Sequence, residues 1–237
     1  MKKFILTDET IEMFGVTLHR IKAVRSFGDV KEGDLGGFVE KEENVSENFE
    51  AWVWGNAKVW GDAKVWGDAK VWGNAEVYGN AKVWGDAKVW GNAEVYGNAK
   101  VWGDAEVYGN AEVYGNAEVS GDAEVWGNAE VYGNAKVWGN AEVSGDAEVY
   151  GNAKVWGNAK VSGDAEVYGN ADYIVFKNWW SSGRYFTWTR SNNMWSVGCF
   201  YGTGEELIKK AYADSEMSGR EYERVVKFVQ SILEEEK

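Results

Sequence analysis

The chain has 237 residues, a formal net charge of −13, no proline and one cysteine. A single cysteine excludes an internal disulfide framework, and no apolar run reaches the ~20 residues of a membrane-spanning helix, so neither a disulfide-stapled fold nor a membrane partner is expected. Most of the acidity sits in residues 51–172, with 9 basic against 18 acidic side chains, which argues against direct binding to a nucleic-acid backbone.

Residues 1–50 are not repetitive and are expected to form an N-terminal cap. Phe4-Ile5-Leu6 predicts a short strand, and Thr7-Asp8-Glu9-Thr10 a capped helical turn. Residues 16–24 predict a second strand. Phe27–Ser46 places Val39 and Val45 six apart, and two extra residues then separate Val45 from Val53. No signal-peptide core follows Met1–Lys3, so a cytoplasmic location is the expectation.

Residues 51–171 carry one hexapeptide twenty times without insertion: Ala, Lys or Glu, Val, then Trp, Tyr or Ser, then Gly, then Asn or Asp. A fixed short period signals a solenoid. Ala and Val alternate with the charged and aromatic residues, which makes each unit a short strand buried on one side. Gly and Asn or Asp then turn the chain.

The number of strands per coil is readable from the columns. Every third unit gives Tyr78, Tyr96, Tyr114, Tyr132, Tyr150 and Tyr168, beside Glu76, Glu94, Glu112, Glu130, Glu148 and Glu166. A second column sets Lys64, Lys82, Lys100, Glu118, Lys136 and Lys154 beside Trp66, Trp84, Trp102, Ser120, Trp138 and Trp156. The third is mixed: Trp54, Trp72, Trp90, Tyr108, Trp126, Ser144 and Ser162. A 24-residue coil would scramble these columns, so the coil has eighteen residues and three sides.

The pattern resembles the hexapeptide-repeat left-handed β-helix family over about half of the chain. Left-handedness is implied by that resemblance alone, since parallel crossovers generally take the other hand. LTDET, LHRIKAVRSFGDV and GDLGGFVE also resemble the start of uncharacterised bacterial and prophage hexapeptide-solenoid proteins, which implies a lineage and no reaction.

Residues 172–237 form a different unit. Arg184–Arg190 and Met194–Phe200 predict strands joined by Ser191-Asn192-Asn193. Thr203-Gly204-Glu205 opens a helix, and Ser218 with Glu221 predicts a capping box for the last one. That helix gathers Tyr222, Val225, Val226, Val229, Ile232 and Leu233 on one face. The expectation is an all-β, three-sided solenoid with a small cap and an α+β (ββαα) C-terminal module.

Catalytic readings fall by elimination. The resemblance brings in acyltransferases, which use a histidine at a subunit cleft, and γ-type carbonic anhydrases, which need three histidines. His19 is the lone histidine, and the coils carry no inserted loop. Pairing Cys199 with His19 requires residues from opposite terminal units, so an inert strand cysteine is expected. Gly202-Thr203-Gly204 lacks the Gly-Lys-Ser/Thr ending of a P-loop. Neither catalytic residues nor a cofactor or metal are expected.

The outer ladders and the C-terminal module remain. Ring-on-ring stacking explains the aromatics without any partner. The functional expectation is a scaffold for a protein partner or for its own copies, as a trimer or dimer. It docks a face bearing Glu94, Tyr96, Glu112, Tyr114, Glu130 and Tyr132 onto one bearing Lys82, Trp84, Lys100 and Trp102, where lysine beside tryptophan suits cation–π contact. Arg184 and Arg190 are the module's candidate recognition residues. A phage-borne acidic mimic of nucleic acid is the alternative, and a degenerate acyltransferase-like enzyme the third reading.

Overall fold

A computed structural model describes residues 2–235. Two-residue strands such as Glu94–Val95 and Glu112–Val113 stack in parallel at eighteen-residue spacing and build three sheets around a shared core. The charged residue's N–H on one coil donates to the alanine carbonyl of the next, as in Glu94 to Ala111 at 3.0 Å. From Val53 to Val167 every repeat valine, and every repeat alanine, is buried. Alanine and valine are forced by the narrowness of a three-sided interior, where a longer side chain would meet the two opposite walls.

The first coil is irregular in the expected way. Val39 pairs with Val59 and Val45 bridges Val65, both twenty residues apart, whereas Val53 pairs with Val71 at the regular eighteen. Buried Asn44 closes this coil, donating to the carbonyls of Gly61 and Ala63 at 3.1 and 2.9 Å.

Above that coil, Phe4–Met13 and Val16–Ala23 form a hairpin whose second strand pairs antiparallel with Leu35–Val39. The helical turn expected at Thr7–Thr10 is therefore corrected to strand. Thr7 Oγ1 accepts from Glu9 N at 3.3 Å, the local bond a helix cap would make, but it also donates to Arg20 O at 2.9 Å across the hairpin. Trp52 stands where other units carry Lys or Glu and is fully buried, with Phe4 and Phe27 edge-on at 5.9 and 5.3 Å. Buried Lys3 reaches Ala51 O at 2.7 Å, and burial brings its ammonium pKa down to about 8.

Side chains cap part of the far end. In the last coil the N–H groups of Lys154, Lys160 and Glu166, one per face, have no next coil to meet. Asn170 Oδ1, Thr187 Oγ1 and Ser191 Oγ accept them at 3.1, 2.8 and 2.7 Å. These bonds take one donor on each face of an edge that could otherwise template another chain.

Thr187 and Ser191 belong to the C-terminal module, an antiparallel sheet of four strands followed by α1 (Gly204–Asp214) and α2 (Glu216–Glu235). The two expected strands, Tyr185–Thr189 and Met194–Val197, are central; Tyr173–Lys177 and Phe200–Thr203 flank them. Phe186, Trp188, Trp195, Leu207, Tyr222 and Val226 pack a second core. The capping box lies at Thr203 and Glu206, at the start of α1. Ser218 sits inside α2, and Ser215 Oγ accepts its N–H at 3.1 Å, which corrects the cap expected at Ser218 and Glu221.

Candidate functional site

Outward side chains on each face repeat at the coil pitch, so like meets like. Tyr78, Tyr96, Tyr114 and Tyr132 form a column with ring centroids 4.9 Å apart and planes within 3°. Each hydroxyl donates to the glutamate of the following coil: Tyr96 to Glu112 at 2.9 Å, Tyr114 to Glu130 at 2.8 Å, Tyr132 to Glu148 at 2.7 Å. Tyr78 holds Glu94 at 3.0 Å. Burial, then the hydrogen-bonded glutamate, raises the phenol pKa of Tyr78, Tyr96, Tyr114 and Tyr132 far above its usual value.

The second face carries the opposite charge. Trp66, Trp84 and Trp102 stack at 4.9 Å, and Lys82 pairs in register with Lys100. These indole faces are occupied by one another, which corrects the cation–π expectation for Lys82 and Lys100: among the described residues, the lysine over a tryptophan is Lys70 over Trp54, on the third face, at 5.9 Å. Lys64, Lys82 and Lys154 are exposed and have no ion pair among the described residues.

This face is broken once. Ser120 stands where the column would carry tryptophan, and Glu118 where it would carry lysine. Glu118 takes Lys100 at 3.1 Å and Lys136 at 2.7 Å, and the Lys136 bond leads in holding its carboxyl below the usual range. The missing ring leaves a hollow of about 300 Å³ lined by Trp102, Glu118, Ser120, Lys136, Trp138 and Lys154. The break is visible in the sequence as one odd hexapeptide, but the hollow is not, because it depends on the rings above and below.

Glu94, Tyr96, Glu112, Tyr114, Glu130 and Tyr132 thus share one face, and Lys82, Trp84, Lys100 and Trp102 another. Arg184 and Arg190 join neither; they flank the strand Tyr185–Thr189 in the C-terminal sheet. Arg184 is exposed on a cavity of about 250 Å³ shared with Asn178, Cys199, Lys210, Asp214 and Tyr222. Arg190 is half-buried, its backbone N–H donating to Asp172 O at 2.8 Å.

Cys199 is exposed in the turn after Met194–Val197, which corrects its expected place in a strand. His19 lies in the N-terminal hairpin with Nδ1 3.2 Å from Thr7 O, so the two do not meet. Among the described residues, no three His, Cys, Asp or Glu side chains are grouped to hold a metal ion, and no helix is long and apolar enough to cross a membrane. Compared with known protein families and with curated proteins, the chain matches none.

Proposed function

We propose that this chain is a non-catalytic scaffold, a rigid solenoid whose ladders and end module engage a protein partner or further copies of itself. The carrying observation is the charge division between two faces of one pitch. Glu94, Glu112 and Glu130 have tyrosine hydroxyls as partners and no cation among the described residues, while Lys64, Lys82 and Lys154 stand unpaired along the tryptophan face. Both ladders step by one coil, so the acidic face of one copy can meet the basic face of another in register, at the rungs of Lys64, Lys82 and Lys154. Such a heterologous contact closes into a ring, a trimer or dimer, or continues. Charge complementarity chiefly supplies register and association rate.

The acidic-mimic alternative asks for denser charge. Duplex DNA carries about one negative charge per 1.7 Å, whereas each tyrosine-face glutamate is one coil, ~4.8 Å, from the next. A cytoplasmic, cofactor-free role belongs to this proposal.

Sedimentation velocity at rising salt tests it. Self-associated wild type should dissociate at high salt, and Lys82→Glu with Lys154→Glu should do the same at low salt. Reversal of Lys88, already paired with Glu106 at 2.8 Å, should leave assembly unchanged. A single sedimenting species insensitive to salt and to the double reversal would refute self-docking.

A further inference from the structure

We propose that the hollow at Ser120 is a binding site for a small planar aromatic carboxylate, which takes the place of the missing tryptophan ring. This goes beyond the scaffold reading, because it assigns a ligand site to one coil rather than a surface to a face.

Flatness is set by the walls. Trp84 and Trp102 stack at 4.9 Å with planes 7° apart, and Trp138 and Trp156 at 6.2 Å with planes 11° apart. Two coils at ~4.8 Å each separate Trp102 from Trp138 by roughly 10 Å. In stacked rings of this offset the planes lie about 3.5 Å apart, so the two-step gap holds one ring touching an indole on each side. A saturated ring is too thick for that gap. Ser120, half-buried at its base, is too short to fill it.

Charge selects the substituent. Lys136 and Lys154 line the hollow against the single carboxylate of Glu118, which leaves one positive charge in excess. Lys154 has no ion pair among the described residues and is free to meet a carboxylate at the rim. An aromatic cation would meet the same excess as repulsion.

The other serines do not make such a site. Ser144 Oγ lies 3.3 Å from Ser162 Oγ at the end of the third face, and a Cβ built on Gly163 would collide with the Tyr201 hydroxyl of the C-terminal module. There the absence of a ring makes room for the module. At Ser120 no ring among the described residues takes the place of the missing tryptophan.

Ligand-observed NMR on the full chain tests this with three probes: indole-3-acetate, indole-3-ethylamine and cyclohexaneacetate. Indole-3-acetate should bind saturably with Kd of about 1 mM or tighter, its ring protons shifted upfield by the two indoles. Indole-3-ethylamine should bind about fivefold or more weakly, and cyclohexaneacetate should show no saturable binding. Ser120→Trp, which installs the missing ring, should weaken indole-3-acetate about tenfold or more, whereas Ser120→Ala should leave it unchanged. Trp102→Ala removes one wall and should also cost about tenfold. Absence of saturable binding to wild type overturns the site, as does binding that survives Ser120→Trp. Equal binding of the amine overturns the charge assignment.

Discussion

Replacing a corner glycine by alanine separates two costs that the repeat imposes together. Gly91 has φ +77°, and a Cβ there would lie 2.9 Å from Gly109 O and 3.0 Å from Gly109 N, both backbone atoms of the next coil. Gly157 has φ +70°, but its corner is the last in its column and a Cβ meets nothing within 4 Å. Left-handed backbone strain, about 1–2 kcal/mol for a non-glycine residue, applies to both. Gly91→Ala adds overpacking against an atom that cannot swing away, typically ~1–3 kcal/mol more. Guanidinium unfolding followed by circular dichroism should therefore give midpoints in the order wild type, Gly157→Ala, Gly91→Ala. Because solenoids can lose cooperativity, hydrogen exchange at the neighbouring coils should locate the loss around Gly91. Equal losses for the two variants would refute the reasoning, since strain alone would then account for the glycines.

Tyr114→Ala removes the stacks with Tyr96 and Tyr132, and should destabilise the rod by about 1–3 kcal/mol, read from denaturant midpoints. Alkali should weaken the tyrosine face. The phenols have folded-state pKa values above the unfolded ~10, so their contribution is complete below about pH 10 and is lost as pH rises through the folded values. Phenolate absorbance should thus lag that of unfolded chain and jump on unfolding; titration near pH 10 without cooperativity would contradict it. Ser162→Trp should destabilise the junction with the C-terminal module by ~1–3 kcal/mol, because the neighbouring Gly163 corner already touches Tyr201, while Ser120→Trp should leave thermal stability equal or higher.

The solenoid was legible because its determinants are local and repeated. Two inward residues in every six fix the core, and coincidence at eighteen residues fixes the coil, as the pairing of Glu94 with Glu112 bears out. The ends were less legible because tertiary pairing overrides local preference there. Thr7–Thr10 has the polar sequence of a helix start, yet the register irregularity between Leu6 and Thr10 absorbs those residues into a hairpin. Trp52 occupies an outward position of the first unit, in register with Lys70, and is buried because Phe4 and Phe27 of the N-terminal cap pack against it. The cap ligands Asn170, Thr187 and Ser191 carry no signal of their own; they matter because three N–H groups arrive there unmatched. At the candidate site, the sequence placed the ladder residues on their faces. It did not supply the tyrosine-to-glutamate bonds, which run sixteen residues forward and reach across coils.

The two ends direct binding toward the flanks. A parallel solenoid left open at its last coil would add further copies end to end through unpaired strand edges. Here a hairpin pairs with one face of the first coil and three side-chain oxygens each take one N–H of the last, so growth along the axis is hindered at both ends. The ladders remain, and they are nearly self-sufficient: rings stack on rings, phenols hold carboxylates, and Lys58 and Glu76 pair at 2.7 Å. A self-sufficient ladder binds others through what it leaves unmatched. Along the tryptophan face that is the unpaired ammonium of Lys82 and Lys154 and the ring that Ser120 does not supply, which makes this face, rather than the more regular tyrosine face, the place where single substitutions should change binding without changing the fold.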